Sequence, residues 1–64
     1  MIWLFDRGGD RLKYEICRQE DGFLLVTTQA NGEKQVEHVE QPTEVIEKSV
    51  QQMRQFREDG WKIG

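Results

Sequence analysis

The sequence predicts an α+β domain: a four-stranded antiparallel sheet of two β-hairpins in a meander, followed by one C-terminal helix packed on one sheet face. Three observations carry this. Turn signals at Gly8-Gly9, Glu20-Asp21-Gly22 and Asn31-Gly32 divide residues 2–40 into four strand-length runs. Only Pro42 to Trp61 has a long helical period, with Val45, Ile46, Ser49, Val50, Met53 and Phe56 in one arc of about 140°. Such a stripe must lie on something apolar, and the only candidate is the preceding sheet.

Residues 2–7 and 11–18 flank Gly8-Gly9, a dipeptide able to hold positive φ at both centres of a tight turn. That turn sets Arg7 opposite Asp10, Asp6 opposite Arg11, Phe5 opposite Leu12 and Trp3 opposite Tyr14. Both charge pairs then have opposite sign and both apolar pairs match, which supports the register. Trp3, Phe5, Leu12, Tyr14 and Ile16 share one face. Ile2, Leu4, Lys13, Glu15 and Cys17 share the other.

Phe23 to Thr28 and Lys34 to Glu40 form the second hairpin. Two-residue loops at both of its turns place Phe23, Leu25 and Thr27 beside Ile16, whereas three-residue loops with a glycine bulge place Leu24 and Val26 there, because a one-residue slip flips the face. Val36 and His38 are expected on the core side under either choice. Pro42 ends the fourth strand and suits a first helical turn, with Gln41 or Thr43 as cap. The helix is expected from about Thr43 to Asp59, ended by a left-handed Gly60 with Trp61 folded back on the last turn. Its core side, with Ile46, Val50 and Met53, is expected against Trp3, Tyr14 and Ile16.

At 64 residues the chain forms at most one domain, residues 1–64, of a size where a lone core is marginal. A single cysteine, Cys17, forbids an intrachain disulfide and any thiolate metal cage, and points to an intracellular, cytoplasmic protein. The opening Met-Ile-Trp-Leu-Phe-Asp has too short an apolar run for a signal peptide or membrane span, so no membrane association is expected. Net charge is −3, and residues 20–47 carry seven acids against one base. That balance argues against affinity built on phosphate neutralisation.

No catalytic, cofactor or metal site can be assembled. His38 is the only histidine, with no second imidazole and no ligand spacing near it. Cys17 has no base beside it on its strand and reads as a small apolar residue. Arg57 falls within the helix's apolar arc, where it complements the helix dipole while its stem covers apolar surface, or else pairs with a carboxylate or anion. Trp3, Phe5, Tyr14 and Trp61 could stack bases, but three of them lie on the face the helix needs, which makes them core. Gly8-Gly9 lacks the context of a phosphate loop.

The informative feature is that both sheet faces carry apolar residues. One helix, about 10 to 12 Å wide, covers only one face of strands spaced about 4.8 Å apart. Ile2, Leu4 and Val39, with Leu25 or with Leu24 and Val26, are therefore expected to form an uncovered patch rimmed by Lys13, Glu15 and Glu37. This predicts a non-enzymatic protein-binding module that self-associates as a homodimer through the open face. The alternative is a single-stranded nucleic-acid binder using Arg7, Arg11, Lys13 and Arg18 of the first hairpin.

Four antiparallel strands followed by one helix resembles the element order of a class of single-strand-binding domains and, with additions, of the whirly proteins. The resemblance covers element order and no residue motif. The lysine-rich strands that such proteins use on DNA have no counterpart here, so their function is not implied.

Overall fold

The structure, a computed structural model, describes residues 1–64. Strands β1 (Ile2–Arg7), β2 (Asp10–Gln19), β3 (Gly22–Thr28) and β4 (Lys34–Val39) precede one helix, α1 (Pro42–Glu58), and a short strand, β5 (Lys62–Ile63). The sheet is antiparallel and has five strands rather than four, in the order β4-β3-β2-β1-β5. The fifth exists because the chain turns back after the helix and lays Ile63 against Phe5 and Lys62 against Asp6. A two-residue strand is too short to announce itself by periodicity.

The first hairpin has the register its turn dictates, including Trp3 opposite Tyr14 and Phe5 opposite Leu12. The second depends on two loops of different length. Gln19 pairs with Gly22, so Glu20-Asp21 is a two-residue loop and Leu25 faces Ile16. At the far end, Gly32 N–H donates to Gln29 O at 2.9 Å and Gln29 N–H to Glu33 O at 2.7 Å, enclosing a three-residue loop with Gly32 at φ +90°. This is a tight turn followed by a left-handed glycine bulge. Asn31 Oδ1 accepts from Glu33 N–H at 3.0 Å and stiffens it.

One loop of each length reverses the expected facing of β4. Val39 is 2% exposed and in the core, while Val36 is 60% exposed on the open face with His38. Leu25, 4% exposed, likewise belongs to the core and not to an interface. Glu37 points to the helix side, where its carboxylate accepts from Lys48 Nζ.

Pro42 occupies the first helical turn and Gln41 is the N-cap, without a side-chain capping bond. The other end is a full Schellman cap: Trp61 N–H donates to Phe56 O at 2.9 Å and Gly60 N–H to Arg57 O at 3.1 Å, with Gly60 at φ +93°. Trp61, 7% exposed, is thereby folded under the last turn.

The core comprises Phe5, Leu12, Tyr14, Leu25, Val39, Val45, Phe56 and Trp61. Phe56 meets Phe5 edge-on at 5.3 Å between ring centroids and Tyr14 at 5.8 Å, a geometry that adds to simple burial. The helix is rotated from the expected orientation. Val45, Ser49 and Phe56 are buried and Met53 partly so, but Ile46 and Val50 are 64% and 50% exposed. The cause is the size of Phe56: with aromatic rings from β1 and β2 reaching up to it, the helix turns that side chain, and not the centre of the aliphatic arc, toward the sheet.

Candidate functional site

The uncovered sheet face is built by strand alternation. Ile2, Leu4 and Asp6 of β1 point to it, as do Arg11, Lys13, Glu15 and Cys17 of β2, because the opposite parity is consumed by the core. From β3 and β4 it receives Leu24, Val26, Thr28, Lys34, Val36 and His38. Ile2, Glu15, Val26 and Val36 form one row across four strands.

The structure thus brings together Ile2, Leu4, Lys13 and Glu15 of the expected interface with Leu24 and Val26, the second of the two alternatives, in place of Leu25, and exchanges Val39 for Val36. The signal for this exchange lay in the loop around Asn31-Gly32, since adding one residue there exposes Val36 and buries Val39.

Charges on the open face are largely paired within it. Arg11 Nε donates to Asp6 Oδ1 at 3.1 Å, and Lys13 Nζ lies 3.3 Å from Glu15 Oε1. His38 Nε2 on β4 is 3.6 Å from Oδ1 of Asp21 in the β2–β3 turn, and Lys34 has no carboxylate partner. The result is an aliphatic surface interrupted by two ion pairs and one free lysine.

The four bases of the alternative nucleic-acid site are not gathered on one surface. Arg11 and Lys13 are on the open face in the pairs just described. Arg7 and Arg18 have the parity of the helix side. Arg7 is committed there: its guanidinium stacks on Trp61 with 4.3 Å from Cζ to the ring centroid, and its Nη1 donates to Asp59 O at 2.9 Å.

No family model, curated protein or solved structure matches the chain. What can be said of chemistry therefore rests on its own side chains. A polar notch of about 110 Å³ lies between β4 and α1, lined in part by Tyr14, Gln35, Glu37, Lys48 and Gln52. The Lys48 pKa is raised, chiefly by its hydrogen bond to Glu37. Burial, then the Glu37 charge, raises that of Tyr14. Both shifts run opposite to what a lysine nucleophile or a tyrosine base needs near neutral pH.

No group of three or more His, Cys, Asp or Glu side chains is arranged to hold a metal ion. No helix is long and apolar enough to cross a membrane.

Proposed function

We propose that this chain is a small, non-enzymatic protein-interaction module that self-associates as a homodimer through its open sheet face. The observation that carries the reading is the set of aliphatic side chains Ile2, Val26 and Val36, in one row interrupted by Glu15 and flanked by Leu4 and Leu24, on a face that no element of the chain covers. Ile2 and Val36 are each 60% exposed. A two-fold interface needs a self-complementary patch, and closing Arg11 on Asp6 and Lys13 on Glu15 within the face leaves Lys34, at its β4 edge, as the unpaired charge.

The molecule measures 37 × 21 × 15 Å over its Cα atoms, and the sheet occupies a broad side of it. Pairing two such sides buries more than about 1,000 Å², the size of a specific interface. Association also supplies apolar burial that a 64-residue chain without a disulfide lacks. The free thiol of Cys17 supports a reducing, cytoplasmic setting.

Sedimentation equilibrium tests the reading. The chain is expected to be dimeric at tens of micromolar, and Leu4→Glu or Val36→Glu to give monomers of lower stability. A monomeric wild type whose stability is unchanged by either substitution would refute it.

A further inference from the structure

The exposed flank of α1 has a spacing that the fold does not use. Ile46, Val50, Met53 and Arg57 follow one another at intervals of four, three and four residues, the seam that one helix presents to another in knobs-into-holes packing. The row runs about 16 Å along the axis, three turns of helix. Ile46 and Val50 are 64% and 50% exposed and belong to neither the core nor its partly buried margin.

The seam borders a trough on the β1 side of the helix. A hollow of about 370 Å³ has Trp3, Ile16 and Phe23 on its sheet side and Ile46 and Met53 on its helix side. A second, of about 310 Å³, continues past Met53 to Phe5, Arg57 and Ile63. The two are separate hollows that meet at Met53, which lines both.

Charge indicates what enters them. Of five arginines, Arg7 and Arg11 are engaged by Asp59 O and Asp6. The other three, Arg18, Arg54 and Arg57, take part in no ion pair or side-chain hydrogen bond. Arg57 lines the second hollow, Arg54 follows Val50 by one helical turn, and Arg18 lies two residues beyond Ile16 on the same side of β2. Arg54 stands close to Glu47 and Glu58 on the helix surface and lines neither hollow. No carboxylate lines either hollow, and the charged side chains that do, Arg57 and Lys62, are both basic.

We propose that this trough is a docking site for an acidic amphipathic helix of a partner protein, distinct from the open sheet face. The partner helix lays apolar residues at heptad spacing against Ile46, Val50 and Met53, and fills the floor over Trp3 and Ile16. Its carboxylates flank that stripe and meet Arg57 and Lys62, which select against a basic helix.

The test uses two labelled helical peptides with leucine at the heptad core positions, one with glutamate and one with lysine at the flanking positions. Binding is read by fluorescence anisotropy on the full chain and by the Trp3 indole resonance in NMR. The glutamate peptide is expected to bind and to shift Trp3, and the lysine peptide to bind at least about tenfold more weakly. Arg57→Glu should reverse that preference, Val50→Glu should abolish binding with the melting temperature retained, and Leu4→Glu should leave peptide binding intact. The last variant separates this site from the open-face dimer. Equal binding of both peptides, no binding of either, or insensitivity to Val50→Glu overturns the proposal. So does a Val50-dependent change in oligomeric mass without peptide, which would make a second copy the occupant. Val50-dependent binding to phosphatidylserine vesicles in the absence of glutamate-peptide binding also overturns it.

Discussion

The Arg7 guanidinium carbon sits over Trp61, 4.3 Å from the ring centroid, and its Nη1 donates to the carbonyl of Asp59 two residues before that ring. One side chain from the end of β1 thereby clamps both the last helical carbonyls and the indole that closes the core. Arg7→Ala is expected to destabilise the protein by about 1 to 2 kcal/mol through the lost stack and a hydrogen bond from a charged donor. Arg7→Lys should recover less than half of it, since an ammonium cannot stack and donate together. Urea denaturation of the three proteins measures this, and an unaffected midpoint for Arg7→Ala would reduce the clamp to a surface contact.

The rotation of the helix makes neighbouring positions unequal. Phe56, 5% exposed and packed on two rings, should cost about 3 to 5 kcal/mol as alanine, enough to unfold much of a small domain. Val50→Ala should cost less than about 1 kcal/mol, because half of that side chain is in solvent. Thermal melts that rank the two the other way round would mean that the aliphatic arc faces the core after all.

Gly60 is required by its backbone and not by crowding, since an added Cβ meets only the Arg7 stem, at 3.4 Å. At φ +93° a β-branched residue is poorly tolerated, so Gly60→Val should lose more than about 1 kcal/mol. Gly60→Asn should lose distinctly less. Equal chemical-denaturation midpoints for valine and asparagine would show that the cap is not held in that conformation.

Alkaline pH should unfold the protein through Tyr14 and Lys48. Both pKa values are raised, so the folded state holds these protons more tightly than the unfolded chain does. Their contribution to stability is complete below the ordinary values, near pH 10, and is lost as pH rises through the folded ones. Tyr14 is the only tyrosine, so tyrosinate absorbance reports it without ambiguity. Its ionisation is expected to coincide with loss of the circular dichroism signal, and Tyr14→Phe to extend the folded range upward. Ionisation completed at pH 10 with the fold intact would contradict the raised pKa of Tyr14.

Features set by neighbours along the chain were legible in the sequence. The register of β1 on β2 follows from Gly8-Gly9 and from paired charges on either side of it, and the helix terminus from Gly60-Trp61, because turns and caps depend on a few adjacent backbone angles. The presence of apolar residues on both sheet faces was legible too, since alternation along a strand does not depend on what covers it. Which apolar residues lie on the open face was decided by two loop lengths, Glu20-Asp21 for Leu24 and Val26 of β3 and the Gln29–Glu33 loop for Val36 of β4. Asn31-Gly32 is compatible with two loop lengths that differ in local energy by little, and only the core's preference for Val39 over Val36 separates them. The helix rotation was likewise a tertiary outcome. An amphipathic arc of about 140° has a centre but no unique contact line, and the line was chosen by Phe56 finding Phe5 and Tyr14. That choice left Ile46 and Val50 in solvent, which no reading of the helix apart from the sheet could have placed there.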